Sequence, residues 1–196
     1  MRIHATLILL LLATPAMAQS RPTGFPTRDV TVAYQIQNGH HITIAFSAVT
    51  RRLRVSGMAA PGGYAIVERD GDAMFLVMPQ QRVAMRTTEP PAMHDALTMR
   101  AFSGFARAGG ATVAGLACTV WKVHSARGDG DICVTGDGVL LRARRSGTGG
   151  AEETLLQATK VTYRALPDTA FEVPAGYQTM TMPTLPQAPP GAAPKP

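Results

Sequence analysis

The stretch that decides the fold is DVTVAYQIQNGHHITIAF, Asp29 to Phe46. Apolar and polar residues alternate on either side of Asn38-Gly39, the pattern of two half-buried strands joined by a tight turn. Two registers compete. A two-residue turn at Asn38-Gly39 puts Val32 and Tyr34 on one face, and Ile42, Ile44 and Phe46 on the other. A three-residue loop, Gln37-Asn38-Gly39, with Gly39 in the left-handed position, sets Val30, Val32 and Tyr34 opposite Phe46, Ile44 and Ile42. The second register gathers the apolar side chains on one face, so it is preferred. It leaves Thr31, Ala33 and Gln35 on the other face, and turns His40 and His41 to opposite sides as solvated strand-end residues rather than a metal pair.

Working outward, YAIVERDGDAMFLVM (Tyr64 to Met78) is a second hairpin turning at Asp70-Gly71. Its register pairs Tyr64 with Val77 and Ile66 with Phe75 on one face, and Ala65 with Leu76 and Val67 with Met74 on the other. Both faces are largely apolar, so both must be covered. Further strands are expected at Gln81–Arg86, Leu116–Val123, Asp131–Thr135, Val139–Arg144 and Thr154–Tyr163. The helix candidate is EPPAMHDALTMRAF, Glu89 to Phe102, with Pro90 and Pro91 in its first turn and Met93, Ala96, Leu97 and Ala101 on one side. The expected class is mainly β (α+β): an antiparallel meander that curls to protect its edges, with the helix packed into its concavity.

The chain begins MRIHATLILLLLATPAMAQS. Arg2, the apolar run Leu7 to Ala13 and the Ala16-Met17-Ala18 site read as a cleavable secretory leader, residues 1–18. The run is far shorter than the roughly 20 residues a membrane-spanning helix needs, and no later stretch approaches that length. Residues 19–181 form one β-rich domain, and 182–196, rich in Pro and Ala, are a disordered tail. The expected location is the periplasm. The full chain carries 19 Lys and Arg against 13 Asp and Glu, a moderately basic balance that suits solubility or anionic envelope surfaces. Nucleic acid is not an expected partner in that compartment.

The two cysteines, Cys118 and Cys133, flank a loop containing RGDG. In an oxidising compartment such a pair is a disulfide. Directly facing cysteines would centre the turn between Ser125 and Ala126, whereas the turn chemistry points to Gly128-Asp129-Gly130. A bulge or a diagonal cross-strand bridge would reconcile the two. The pair lacks the C-x-x-C spacing of a redox site. Zinc would require further ligands, and GDGD fails the calcium-loop pattern. Met74, Met78 and Met85 have the softness for copper(I), but their pattern fits core or cavity lining better. No cofactor or metal is expected. The chain contains no H-E-x-x-H, no G-x-S-x-G and no phosphate loop, so a non-catalytic protein is expected.

The segments GGYAIVERDGDAMFLVMPQQRVAM, VAGLACTVWKV, CVTGDGVLLRA and FEVPAGYQTM resemble a family of small exported bacterial proteins of unknown function with the fold of the periplasmic lipoprotein carriers (LolA/LolB-like). The resemblance implies a curved antiparallel half-barrel sheet with one or two short helices covering an apolar concave face. In the carriers that concavity receives acyl chains. The region Gln19 to Val30 is short and polar where carriers often have an amphipathic helix, a departure that concerns cargo transport rather than fold.

The leading expectation is a protein that binds a lipid, or a lipoprotein acyl chain, in the concave face. The candidate ligand residues are Tyr64, Ile66, Phe75 and Val77 on one face, or Val67, Met74, Leu76 and Met78 on the other. The alternative is an envelope protein-interaction or scaffold module with a closed core, docking through the basic face of Arg51, Arg52 and Arg54. A hydrolase with dispersed residues is a third reading, and requires a polar cluster on the concave face.

Overall fold

The computed structural model describes residues 21–57, 61–68, 73–88, 99, 102–125, 128–147 and 151–181. Twelve strands form one sheet: β1 (Val30–Ile36), β2 (His41–Phe46), β3 (Arg52–Ser56), β4 (Tyr64–Glu68), β5 (Ala73–Met78), β6 (Val83–Thr88), β7 (Ser103–Val113), β8 (Leu116–Ser125), β9 (Gly128–Val134), β10 (Leu140–Ser146), β11 (Glu152–Tyr163) and β12 (Gln178–Thr181). Their order across the sheet is β12-β6-β5-β4-β3-β2-β1-β11-β10-β9-β8-β7. Thus β1–β6 and β7–β11 are two antiparallel meanders, joined where β1 pairs with β11, and β12 adds in parallel to the outer side of β6. The sheet is open and curved.

The burial argument for the first hairpin holds. Val30 pairs with Phe46, Val32 with Ile44 and Tyr34 with Ile42. The loop Gln37–Gly39 is a 3₁₀ turn, with Gly39 at φ 77°, a left-handed conformation that costs glycine little. Directly opposed residues share a face, so apolar side chains run in rows across the strands. One row is Val30, Phe46, Leu53, Val67 and Met74; the next is Val32, Ile44, Val55, Ala65 and Leu76. On the far side of β1 the rows continue through Tyr163, Val161, Ala158 and Leu156 of β11. This is the inner face and it carries the main core cluster.

The second hairpin also has the expected register, and it is covered on both sides. Ala65, Val67 and Met74 are buried in the inner cluster. Tyr64, Ile66 and Val77 are buried on the outer face with Ala84, under Val173 and Tyr177 of the C-terminal segment. That segment crosses the outer face through a 3₁₀ turn, Asp168–Phe171, which packs against β3 and buries Phe171. It then ends as β12.

Three expectations need correction. First, no α-helix occurs among the described residues, and helical cover of the concave face is not observed there. The helix expected at Glu89–Phe102 lies outside the described residues except for Met99 and Phe102. Second, Gly128-Asp129-Gly130 is not the turn: β8 and β9 pair as far as Ser125 with Gly128, so those residues begin β9. Third, β7 is an additional strand that the sequence does not announce. SGFARAGGATV is small, polar and glycine-rich and has no clean alternation, and its pairing with β8 is interrupted by two register shifts. The leader and the tail lie outside the described residues.

Cys118 and Cys133 form a disulfide, with Cα atoms 5.5 Å apart. Cys133 stands opposite Val120, so the bond runs diagonally between neighbouring rows, one of the two arrangements expected. Both sulfurs are buried in the main cluster with Val113, Val139 and Leu141. Near by, the Asp131 carboxylate, 2% exposed, is gripped by Arg144 through Nε (3.0 Å) and Nη2 (2.9 Å). A buried charge persists only when paired in this way.

The disulfide closes 15 residues of sequence separation, for which loop-closure entropy gives about 3 kcal/mol. The double variant Cys118→Ala/Cys133→Ala is therefore expected to unfold in urea with about 3 kcal/mol less stability. Arg144→Met, which leaves the buried Asp131 carboxylate with Lys122 Nζ at 3.8 Å in place of its two guanidinium hydrogen bonds, should lose up to about 3 kcal/mol in the same measurement.

Candidate binding cavity

The inner face holds an apolar cavity of about 190 Å³. Its floor is the first hairpin: Val30, Val32, Tyr34 and Ile36 from β1, and Ile42, Ile44 and Phe46 from β2. Leu53, Leu140 and Leu156 extend the floor sideways, and Met99 contributes from outside the sheet. The alternation that fixes the hairpin's register thus also supplies the cavity's surface. Among the lining side chains the polar group is the Tyr34 hydroxyl, and it is already occupied, donating to the Leu140 carbonyl at 2.7 Å. Burial pushes the Tyr34 phenol well above its ordinary pKa, so it remains a neutral donor.

Gly24, Phe25 and Pro26 complete the wall with Gly138 and Val139. They belong to a strap, residues 21–29, that precedes β1. Pro22 and Pro26 lack amide hydrogens, which disfavours incorporation of the strap into a ladder. It is tied down at several points instead. The Arg21 guanidinium lies 5.6 Å from the centroid of Phe105, and Phe25 packs on Phe46 with ring centroids 5.7 Å apart. Thr27 N–H donates to the Asp137 carbonyl (2.9 Å), and Arg28 Nε to the Asp137 carboxylate (2.9 Å). Arg28 also lies over the Tyr163 ring at 3.7 Å. The Asp29 carboxylate accepts from the amides of Ala48 and Leu166, each at 2.8 Å.

Asp137 is the hub. Its carboxylate also accepts from the hydroxyls of Thr135 (2.5 Å) and Tyr163 (3.2 Å). Partial burial works to raise its pKa, but the hydrogen bonds from Thr135, Arg28 and Tyr163 outweigh this and hold it below the usual carboxylate value. The next residue, Gly138, has φ 93°, and a Cβ built there would lie 2.1 Å from the Phe25 carbonyl oxygen. The strap rests directly on this glycine.

The residues expected at a ligand site are placed as follows. Val67, Met74 and Leu76 line the inner face beside the first hairpin, in contact with the same core. Tyr64, Ile66, Phe75 and Val77 face the outer side under the C-terminal segment. Met78 is half-buried opposite Val83 at the end of β5. None of the eight lines this cavity. Its walls come from β1, β2 and the strap. The strong apolar alternation of Val30 to Phe46 is the available signal for the floor. The strap carries none, because PTGFPTRD has no period.

The basic run on β3 is engaged inside the molecule. Arg52 pairs with Glu68 at 3.0 Å. Arg54 lies 3.6 Å over the Tyr64 ring and donates to the Ala170 carbonyl at 3.3 Å. Arg52 and Arg54 thereby fasten the outer face rather than present a free charged surface. On the edge of the sheet Ser103, His124 and Asp129 stand in one row, with His124 Nδ1 2.6 Å from Asp129 Oδ1. The His124 and Asp129 side chains are 64% and 66% exposed, so this row lacks the water-excluded setting that gives a catalytic triad its strength. Among the described residues no group of three or more His, Cys, Asp and Glu could hold a metal ion, and no helix is long and apolar enough to cross a membrane.

The sequence matches no protein-family model and no curated protein. Solved structures do share the shape. An uncharacterised conserved protein from Thermus thermophilus superposes with a TM-score of 0.54 at 10% identity, over 80% of this chain and 91% of that one. MucB, solved in complex with MucA(peri), superposes with a TM-score of 0.51 at 14% identity, over 80% of this chain and 58% of MucB. The Pseudomonas aeruginosa MucA/MucB complex gives a TM-score of 0.50 at 13% identity over 79% of this chain. The chain therefore spans little more than half of MucB. At such identities the likeness is one of fold alone.

Two outcomes follow from the strap's anchorage. Gly138→Ala should lower stability by about 1–3 kcal/mol in thermal or urea unfolding. Because the Asp137 pKa is depressed in the folded state, its contribution is present above the unfolded carboxylate value, about 4, and is lost as pH falls through the lower folded value. Amide exchange in the strap should therefore remain slow relative to the intrinsic rate down to about pH 4 and lose protection only below it.

Proposed function

We propose that this chain is a non-catalytic binding module of the bacterial periplasm that holds the apolar part of a lipid, an acyl chain, in the cavity beneath the strap. The observation that carries the reading is the cavity itself. Its walls are aliphatic and aromatic, and the polar hydroxyl at its floor is already satisfied. Such a surface offers an entering group dispersion and release of water, and no charge to pair with. At about 190 Å³ it is somewhat larger than an apolar cavity of about 150 Å³ that takes benzene, and smaller than the roughly 300–1,000 Å³ of sites that enclose a drug-sized ligand. It thus suits one stretch of acyl chain, with the head group left outside.

The periplasmic assignment draws on the leader-like start, the disulfide and the MucB-like fold. The absence of recognisable catalytic motifs supports the non-catalytic reading. A second reading, docking of an envelope protein, is favoured by the likeness to MucB, which was solved with MucA(peri) bound. Reversing Arg52 or Arg54 would be a poor probe of it, because both side chains make internal contacts.

Native mass spectrometry of protein isolated from the periplasm is expected to show a co-purified lipid, and a dansyl-labelled C11 fatty acid should bind with a rise in emission. Ile44→Trp, which fills the cavity from its floor, should weaken that binding at least about tenfold, the loss of about 1.4 kcal/mol, while the variant remains folded by circular dichroism. Binding unaltered by Ile44→Trp, or no binding by the wild type, would remove the reading. Capture of a defined envelope protein with an empty cavity would favour the second.

A further inference from the structure

We propose that the strap at residues 21–29 is the gate of the cavity and that the Arg28–Asp137 contact is its latch. The inference rests on the binding reading above and adds how the site opens. The floor belongs to strands hydrogen-bonded on both sides: β1 lies between β2 and β11, and β2 between β1 and β3. Moving them would break ladders shared by the whole sheet. The strap belongs to no strand, yet Gly24, Phe25 and Pro26 form one wall of the cavity. It is a wall that can leave without disturbing the sheet, since local opening is drawn from segments with the least cooperative hydrogen bonding.

The fastenings are matched to that task. The Arg28 side chain is 61% exposed, and an ion pair so placed is weak because water and salt screen it. Asp137 gathers the strap's contacts at one point: its carbonyl takes the Thr27 amide and its carboxylate takes Arg28, while Thr135 and Tyr163 hold the carboxylate in place. Losing the carboxylate removes the Arg28 ion pair and leaves the strap here on the Thr27 amide bond to the Asp137 carbonyl and the Arg28–Tyr163 stacking. At the far end Asp29 stays bound to Ala48 and Leu166, which makes it the pivot. Swinging about Asp29 would lift Phe25 from Phe46 and from the glycine notch at Gly138, and open the apolar floor to a chain entering from the strap side.

Two measurements on the full chain test this with Asp137→Asn and Arg28→Gln. The first is hydrogen exchange of the ligand-free protein. Exchange should quicken about twofold to fivefold within residues 23–28 and stay unchanged in β1 and β2. Exchange unchanged in the strap, or quickened equally throughout the sheet, would overturn the gate. The second is stopped-flow binding of the dansyl-labelled C11 fatty acid. Association and dissociation should both accelerate about twofold to fivefold, with a smaller change in Kd, because the latch controls access rather than the bound contacts. Binding with unaltered rates would overturn the gate alone. No binding in any variant, wild type included, would overturn the binding reading together with the gate.

Discussion

The structure depends on the double pairing of one strand. β1 is held by β2, its neighbour in sequence, and by β11, from the far end of the chain. Without the second pairing the chain would be two separate meanders, each with an exposed apolar face. With it, the rows of inner side chains run without interruption from Met74 and Leu76 through β1 to Tyr163 and Val161. Each fully buried Val, Ile or Phe in those rows contributes about 1.5–3 kcal/mol. The register of β1 therefore orders both halves of the core at once, and a slip by one residue would turn every row outward.

The proposed function rests on where the rows are left uncovered. Over the second hairpin both faces are closed, the inner one by the core and the outer one by Val173 and Tyr177. Over the first hairpin the described cover of the inner face is the strap together with Met99, and space remains beneath it. A strap outside the sheet above an apolar floor of doubly paired strands suits the proposed entry and release of an acyl chain. The polar contacts around Asp137 and Asp29 lie at the rim, where they position the cover without placing charge inside.

Much of this is legible in the residues, and for physical reasons. Both hairpin registers follow from the requirement that apolar side chains share a face, which is a local property of alternation. The disulfide follows from cysteine count and spacing; its diagonal geometry is one of the two arrangements expected, but it comes from the pairing of Ser125 with Gly128 and not from a turn at Gly128-Asp129-Gly130. The two-sided covering of Tyr64 to Val77 follows from its apolar residues on both faces. The elements that escape such reading have no period. β7, with Gly104, Gly109 and Gly110, pairs through a backbone ladder that its side chains do not announce. The strap is placed by Asp29, Asp137 and Gly138, whose partners are distant in sequence. The hairpin expected to form the site, Tyr64 to Met78, stands out for its apolar content. The cavity forms instead where apolar content meets a gap in packing, a property of the assembled sheet rather than of any segment.

The most direct measurement is methyl NMR of the intact protein titrated with decanoate. The account predicts shift changes centred on Val30, Val32, Ile42 and Ile44, with Phe25 aromatic contacts altered, and little change at Ile66 or Val77 on the outer face. Shifts confined to Ile66 and Val77, or none at saturating decanoate, would contradict it.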